Sequence, residues 1–168
     1  MPGMLRSWGK CGEQGQLYCL QVPIAGKSVR CYNNSMSEKR DEGLQELTTL
    51  VSGLADADYC YLTTTGRVSG HPHEIEIWFG LRERTLYLLS GNGASSDWVK
   101  NIQAQAAVQV RIAKYTFKAS ARIIKDAEEE NAARELLDGK YEKWKPGQPF
   151  SEWAQTALPV ALDVEGMA

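Results

Sequence analysis

The run TTTGRVSGHPHEIEIWF, from Thr63 to Phe79, decides how this chain is read. Three threonines lead into Gly66-Arg67-Val68-Ser69-Gly70, and the chain leaves through His73-Glu74-Ile75-Glu76-Ile77-Trp78-Phe79. Tyr59-Cys60-Tyr61-Leu62 precede it. β-Branched and aromatic residues on both sides favour extended chain. The glycines allow backbone angles that other residues resist. The run therefore reads as a β-hairpin with a polar turn. A turn needs glycine, but it does not need Arg67 or Ser69. Those side chains make the loop a candidate anion cradle. Backbone N–H groups around glycine form a concave nest, Arg67 adds a planar fork of donors, and Ser69 adds a hydroxyl. On the loop alone, a plain hairpin turn with a solvated arginine competes on even terms.

Working outward, the two-residue period continues. Residues 59–64, 72–81 and 85–90 read as three successive strands. Residues 95–104 read as a helix with Trp98 and Ile102 on one face. Residues 108–112 and 116–124 are two further strands. Asp126 opens an acidic, alanine-rich helix reaching Trp144, and Pro146-Gly147-Gln148-Pro149 breaks it. Residues 150–154 form a short helix and 158–164 the last strand. Upstream, Ser37 caps a helix over residues 38–54. On it Leu44, Leu47, Val51 and Leu54 recur at helical spacing. About six antiparallel strands with inserted helices predict a mainly β fold, a closed or nearly closed barrel.

Residues 1–35 differ. They are rich in Gly, Cys, Asn and Ser, with no sustained period and one strand-like run at 17–24. They read as an extension, poorly ordered on its own, ahead of a barrel domain over 36–168. Met36-Ser37-Glu38 has the look of a second natural start.

The totals bound the function. The chain has 168 residues, enough for one domain, with 24% charged residues and a formal charge of -2. Such a balance creates no global field for nucleic acid or an anionic membrane, so any anion site is local. The cysteines, Cys11, Cys19, Cys31 and Cys60, match no zinc spacing, and no metal site is expected. No run has the length of a membrane span or the apolar core of a signal peptide, which makes the cytoplasm the expected location.

A second loop, Ser90-Gly91-Asn92-Gly93-Ala94-Ser95-Ser96-Asp97, follows a strand and opens a helix. Free N–H groups and the positive dipole end make that a natural anion site, with Ser95 or Ser96 as cap. Asp97 competes for the same dipole, and Lys100 offsets it. Strand-to-helix loops also carry glycine and serine for purely structural reasons.

Other residues divide between packing and chemistry. His73 shares a strand face with Ile75 and Ile77, where histidine is more often a satisfied core residue than a ligand. Glu74 and Glu76 share the opposite face with Trp78; a solvated face outweighs an acid–base pair. Tyr141 and Trp144 stand at i, i+3 on a helix. Tyr141 is the best nearby proton donor.

The two loops carry a resemblance. Thr63-Thr64-Thr65-Gly66-Arg67-Val68-Ser69-Gly70-His71-Pro72, with Trp78, resembles the TTTGR-x-SG-x-P opening of the deazaflavin-dependent nitroreductase family. That family lies within the split β-barrel flavoproteins related to pyridoxamine 5'-phosphate oxidase. Gly91-Asn92-Gly93, then Trp98-Val99-Lys100-Asn101-Ile102, resembles its second motif, and Leu158-Pro159-Val160 its closing strand. The resemblance implies an FMN-binding-like split barrel that takes coenzyme F-420, or in relatives FMN. It places the phosphate-bearing tail against Thr65, Arg67, Ser69, Lys100 and the loop of Gly91, Asn92, Gly93, Ser95 and Ser96. It places the ring along His73, Glu74 and Ile75. It implies hydride transfer from reduced coenzyme F-420 to a quinone, nitro compound or activated alkene. Homodimers are frequent among such barrels. This chain has His71 and His73 where the family usually shows arginine. It has Trp144 and Phe150, beside Tyr141, where family tyrosines shape the substrate pocket. The alternatives are an FMN-dependent oxidase or reductase on the same barrel, which needs fewer cations, and a non-catalytic flavin- or haem-binding module.

Overall fold

The computed structural model describes residues 35–168. The chain divides into two compact units, one ending at Glu42 and one running from Gly43 to Ala168. The expected poorly ordered extension, its strand-like run at 17–24, and Cys11, Cys19 and Cys31 lie outside the described residues.

Seven strands form one antiparallel sheet in the second unit: β1 (Cys60–Thr65), β2 (Pro72–Ile77), β3 (Gly80–Arg82), β4 (Thr85–Ser90), β5 (Ala107–Ile112), β6 (Tyr115–Ile123) and β7 (Leu158–Met167). The helices are α1 (Ser35–Ser52), α2 (Asp97–Ala104), α3 (Ala127–Tyr141) and α4 (Glu152–Thr156), with a 3-10 turn at Gly93–Ser95. Among these residues no helix is long and apolar enough to cross a membrane. The sheet order is β2-β1-β5-β6-β7-β4-β3. Its two edges, β2 and β3, are joined only by Trp78 and Phe79. A link that short spans on the order of 10 Å, so the sheet must curl until its edges nearly meet. The expected barrel follows from that connection.

The extra strand is a correction. The single strand expected over residues 72–81 divides at Trp78-Phe79. Phe79 N–H donates to the Tyr141 hydroxyl at 3.0 Å, and Phe79 C=O accepts from Lys140 Nζ at 3.1 Å. Backbone groups that would have continued the ladder are taken by α3. Alternation in the sequence cannot show such a partner.

Burial separates two apolar clusters. Leu62, Phe79, Leu86, Leu88, Val110, Ile112, Phe117, Val160 and Leu162 fill one. Tyr87, Leu89, Ala161, Ala133, Leu137 and Ala154 fill the other, where α3 and α4 cover the sheet. Successive residues of β4 enter opposite clusters, as the period of two requires. The start of β3, opposite Tyr87 of β4, also needs room under α3: a Cβ on Gly80 would lie 2.6 Å from Leu136 Cγ.

Several boundaries move. Helix α1 begins at Ser35, so Ser37 lies inside it rather than at its cap. Val51 is fully buried with Leu47 and Leu50 beside it, whereas Leu44, expected on the same face, is 43% exposed. It precedes the turn at which packing on the core begins. Asp126 caps α3 by accepting the Glu129 N–H at 2.9 Å, as expected. The helix stops at Tyr141, not Trp144, because Lys143 takes φ 59° and Trp144 N–H turns back to Asp138 C=O. The last strand runs on to Met167, because β6 offers partners as far as Phe117.

An ion network ties β4, β6, β7 and α3. Arg122 donates to both Glu129 oxygens at 2.7 Å and to Asp163 Oδ2 at 2.8 Å. Thr85 donates to Asp163 and Tyr87 to Glu129. The Arg122 hydrogen bonds hold Glu129 below its ordinary 4.5. Burial pushes Asp163 up, but bonds from Arg122 and Thr85 outweigh it and hold it below 3.8. Depressed carboxyl values stabilise the fold above those ordinary values, and the contribution is lost as pH falls through and below them. Arg122→Ala is therefore expected to cost about 1 kcal/mol at pH 7. It should also flatten the loss of stability below about pH 4.5, read from urea midpoints across pH.

Candidate functional site

The β1–β2 loop folds on its own backbone. Gly66 N–H donates to His71 C=O and Gly70 N–H to Gly66 C=O, both at 2.8 Å. Gly70 holds φ 69°, which favours glycine. Ser69 Oγ lies 3.1 Å from His73 Nε2 and accepts His71 N–H at 3.2 Å. A Cβ on Gly66 would fall 2.5 Å from both that ring nitrogen and that hydroxyl. His73 shares a strand face with Ile75 and Ile77, as the alternation required. It is nonetheless exposed while they are half-buried. It sits at the open end of β2, over the loop.

The decisive side chain is one the site prediction left out. Asn101 of α2 is 4% exposed. Its Oδ1 accepts from Arg67 N–H and from Arg67 Nη1, each at 3.1 Å. Its Nδ2 donates to Thr64 Oγ1 at 3.1 Å. Arg67 Nη2 also pairs with Asp97 Oδ1 at 3.0 Å, and Nη1 reaches Asp97 C=O at 3.4 Å. The hairpin loop is thereby docked on the start of α2, directly after the second glycine loop. Two loops distant in sequence become neighbours. The W-x-x-N spacing was the only sequence signal for Asn101, and it did not reveal the partner.

In the second loop, Ser96 occupies the N-cap position of α2 but makes no capping bond. Its hydroxyl pairs with Ser90 Oγ at 2.8 Å, and Ser90 also donates to Gly93 C=O at 2.9 Å. The expected serine cap is thus corrected. Ser90 is 2% exposed, and a buried hydroxyl claims the partner within reach. Gly91, Asn92 and Ser95 are exposed, and Gly93 takes φ 55° with open space where a Cβ would stand. Lys100 is half-buried on α2.

Of the remaining expected cofactor contacts, Thr65 ends β1 opposite Pro72. Ile75 pairs with Leu62. Glu74 is tied to Arg111 at 3.1 Å on the outer face. The aromatic residues fall into two groups. Tyr141 stacks on Trp78 at 4.5 Å with planes 4° apart, and Trp78 meets Trp153 edge-on at 5.5 Å. Trp153 Cδ1 lies 4.0 Å from where a Gly91 Cβ would stand, so this wall runs from the end of β2 to the glycine loop. Trp78 is 46% exposed on it. Trp144 and Phe150 form a separate pair at 5.0 Å. Trp153 went unnoticed in sequence because nothing local links it to Trp78. The Tyr141 hydroxyl accepts Phe79 N–H and lies 2.8 Å from Asp58 C=O and 2.9 Å from Phe79 C=O. Burial pushes it up to about 12. Cys60 is buried and its thiol is likewise pushed up to about 12 by burial, which removes it as a nucleophile.

An arginine fork, a lysine, serine hydroxyls and exposed backbone around Gly91 and Gly93 make a donor set that fits a phosphate-bearing tail. The family model of F420H(2)-dependent quinone reductase matches residues 36–165. The chain belongs to this family. Solved structures support the fold. A candidate pyridoxamine 5'-phosphate oxidase from Listeria innocua is 16% identical with TM-score 0.57, over 73% of this chain and 96% of that one. A candidate 5-nitroimidazole antibiotic resistance protein from Bacteroides thetaiotaomicron is 19% identical with TM-score 0.58, over 71% and 81%. An F420-H2 dependent reductase is 21% identical with TM-score 0.51, over 64% and 94%. No curated protein sequence matches. The mainly β split barrel expected from the sequence is the fold observed.

Proposed function

We propose that this member of the F420H(2)-dependent quinone reductase family binds reduced coenzyme F-420 and passes its hydride to a small organic acceptor: a quinone, a nitro compound or an activated alkene. The observation that carries this is the docking of Arg67 on Asn101 and Asp97, which brings both glycine loops to one place beside β2. When bound, the deazaflavin supplies the hydride. The chain supplies position. Arg67, Ser69, Lys100 and the Gly91–Ser96 backbone would hold the tail's phosphate. The edge of β2 not paired with β1 offers backbone donors and acceptors to the ring. The exposed face of Trp78, braced by Tyr141 and Trp153, would take a planar acceptor and exclude water.

The test is fluorescence titration with coenzyme F-420 and, separately, with FMN. Tight binding of coenzyme F-420 is expected. Preference for FMN would move the chain to the flavin branch, and binding of neither would end the cofactor reading. Arg67→Ala is expected to weaken coenzyme F-420 by about 1.5–3 kcal/mol, the range for a charge-assisted hydrogen bond. An unchanged dissociation constant would remove Arg67 from the site.

A further inference from the structure

We propose that Asp97 is a resident competitor for Arg67 and sets how much negative charge the cofactor tail can carry. This rests on the cofactor site proposed above.

Arg67 does not need the Asp97 carboxylate to stay in place. Asn101 Oδ1 fixes both its backbone N–H and its Nη1, and the Asp97 backbone carbonyl adds a further contact. The carboxylate is therefore spare as an anchor, and what it adds is charge. Its side chain is 81% exposed, and among the described residues Arg67 is the partner that holds it, at 3.0 Å. Asp97 also occupies the first turn of α2, where Ser96 makes no capping bond. The two local attractions for an anion, the guanidinium and the helix start, thus converge on one carboxylate. An arriving phosphate meets a fork already half-neutralised. It must displace an exposed side chain or share Arg67 with it. Among the described residues, Lys100 stands half-buried on the same helix, three positions on from Asp97, and each extra negative charge on the ligand is repelled by the Asp97 carboxylate. The tailed cofactor still binds, but less tightly than it would without the carboxylate.

The test compares wild type, Asp97→Asn and Asp97→Ser in fluorescence titrations. The two probes are coenzyme F-420, with its anionic tail, and the tailless deazaflavin alcohol. Asn and Ser suit a helix start, and the site is exposed, so both variants should fold. Both are expected to tighten the tailed cofactor by about two- to fivefold, the range for an exposed charge pair. Affinity for the tailless form should stay unchanged, and the salt dependence of the tailed form should steepen. Tight wild-type binding with the same affinity in both variants would overturn the competitor role and leave the reductase reading intact. So would weaker tailed binding, which would make Asp97 a positioning residue for Arg67. If neither probe binds any of the three proteins, the cofactor site itself fails, and this inference fails with it.

Discussion

Asn101→Ala is expected to cost about 2–3 kcal/mol of stability and to weaken coenzyme F-420 at least as much as Arg67→Ala does. The amide is buried and makes three hydrogen bonds, to Thr64 Oγ1, Arg67 N–H and Arg67 Nη1. Removing it leaves a backbone donor and a hydroxyl without their partner, and such losses are the costly kind. It also frees the β1–β2 loop from α2, so the two anion loops are no longer held together. Thr64→Val separates the effects. It removes the partner of Nδ2 but leaves both Arg67 bonds to Oδ1. It should cost about 1–2 kcal/mol of stability while cofactor affinity stays near wild type. Chemical denaturation and fluorescence titration on the same preparations check both. Full binding by Asn101→Ala would sink the view that docking makes the site.

Tyr141→Phe is expected to lower stability by about 1–3 kcal/mol with turnover per folded molecule nearly unchanged. The hydroxyl serves Phe79 N–H and the carbonyls of Asp58 and Phe79, at the link where β2 gives way to β3. Phe79 C=O keeps Lys140 Nζ at 3.1 Å, but deleting the hydroxyl leaves Phe79 N–H without its partner. The ring remains, and with it the stack on Trp78. With its proton held between backbone carbonyls and its value near 12, Tyr141 is a poor general acid. A large fall in kcat with unchanged stability would restore the proton-donor role.

The hairpin around Arg67, the strands at β4 and β5, and the Asp126 cap were legible in sequence, because period and capping are local properties. The strand breaks around Glu83 and Ala113 were placed by the period, but the left-handed backbone there was not. Both adopt positive φ without glycine or asparagine, so no residue type announced them. In the candidate site, the excess of donors at Arg67 and the glycine loops could be read from sequence. Asn101 and Trp153 could not. Asn101 matters through Thr64 and Arg67, more than thirty positions away. Trp153 matters through Trp78 on another element.

By itself, the sequence determined most of the elements, the mainly β class and the two donor-rich loops, because each depends on neighbours within a few residues. Only the tertiary structure decided that β2 and β3 are opposite edges joined by two residues, so that the sheet must curl. Only it decided that Arg67 is claimed by Asn101 and Asp97, and that Tyr141 braces a backbone break. Those outcomes depend on which distant polar groups compete for the same hydrogen bond, and burial settles that competition only after the chain has folded.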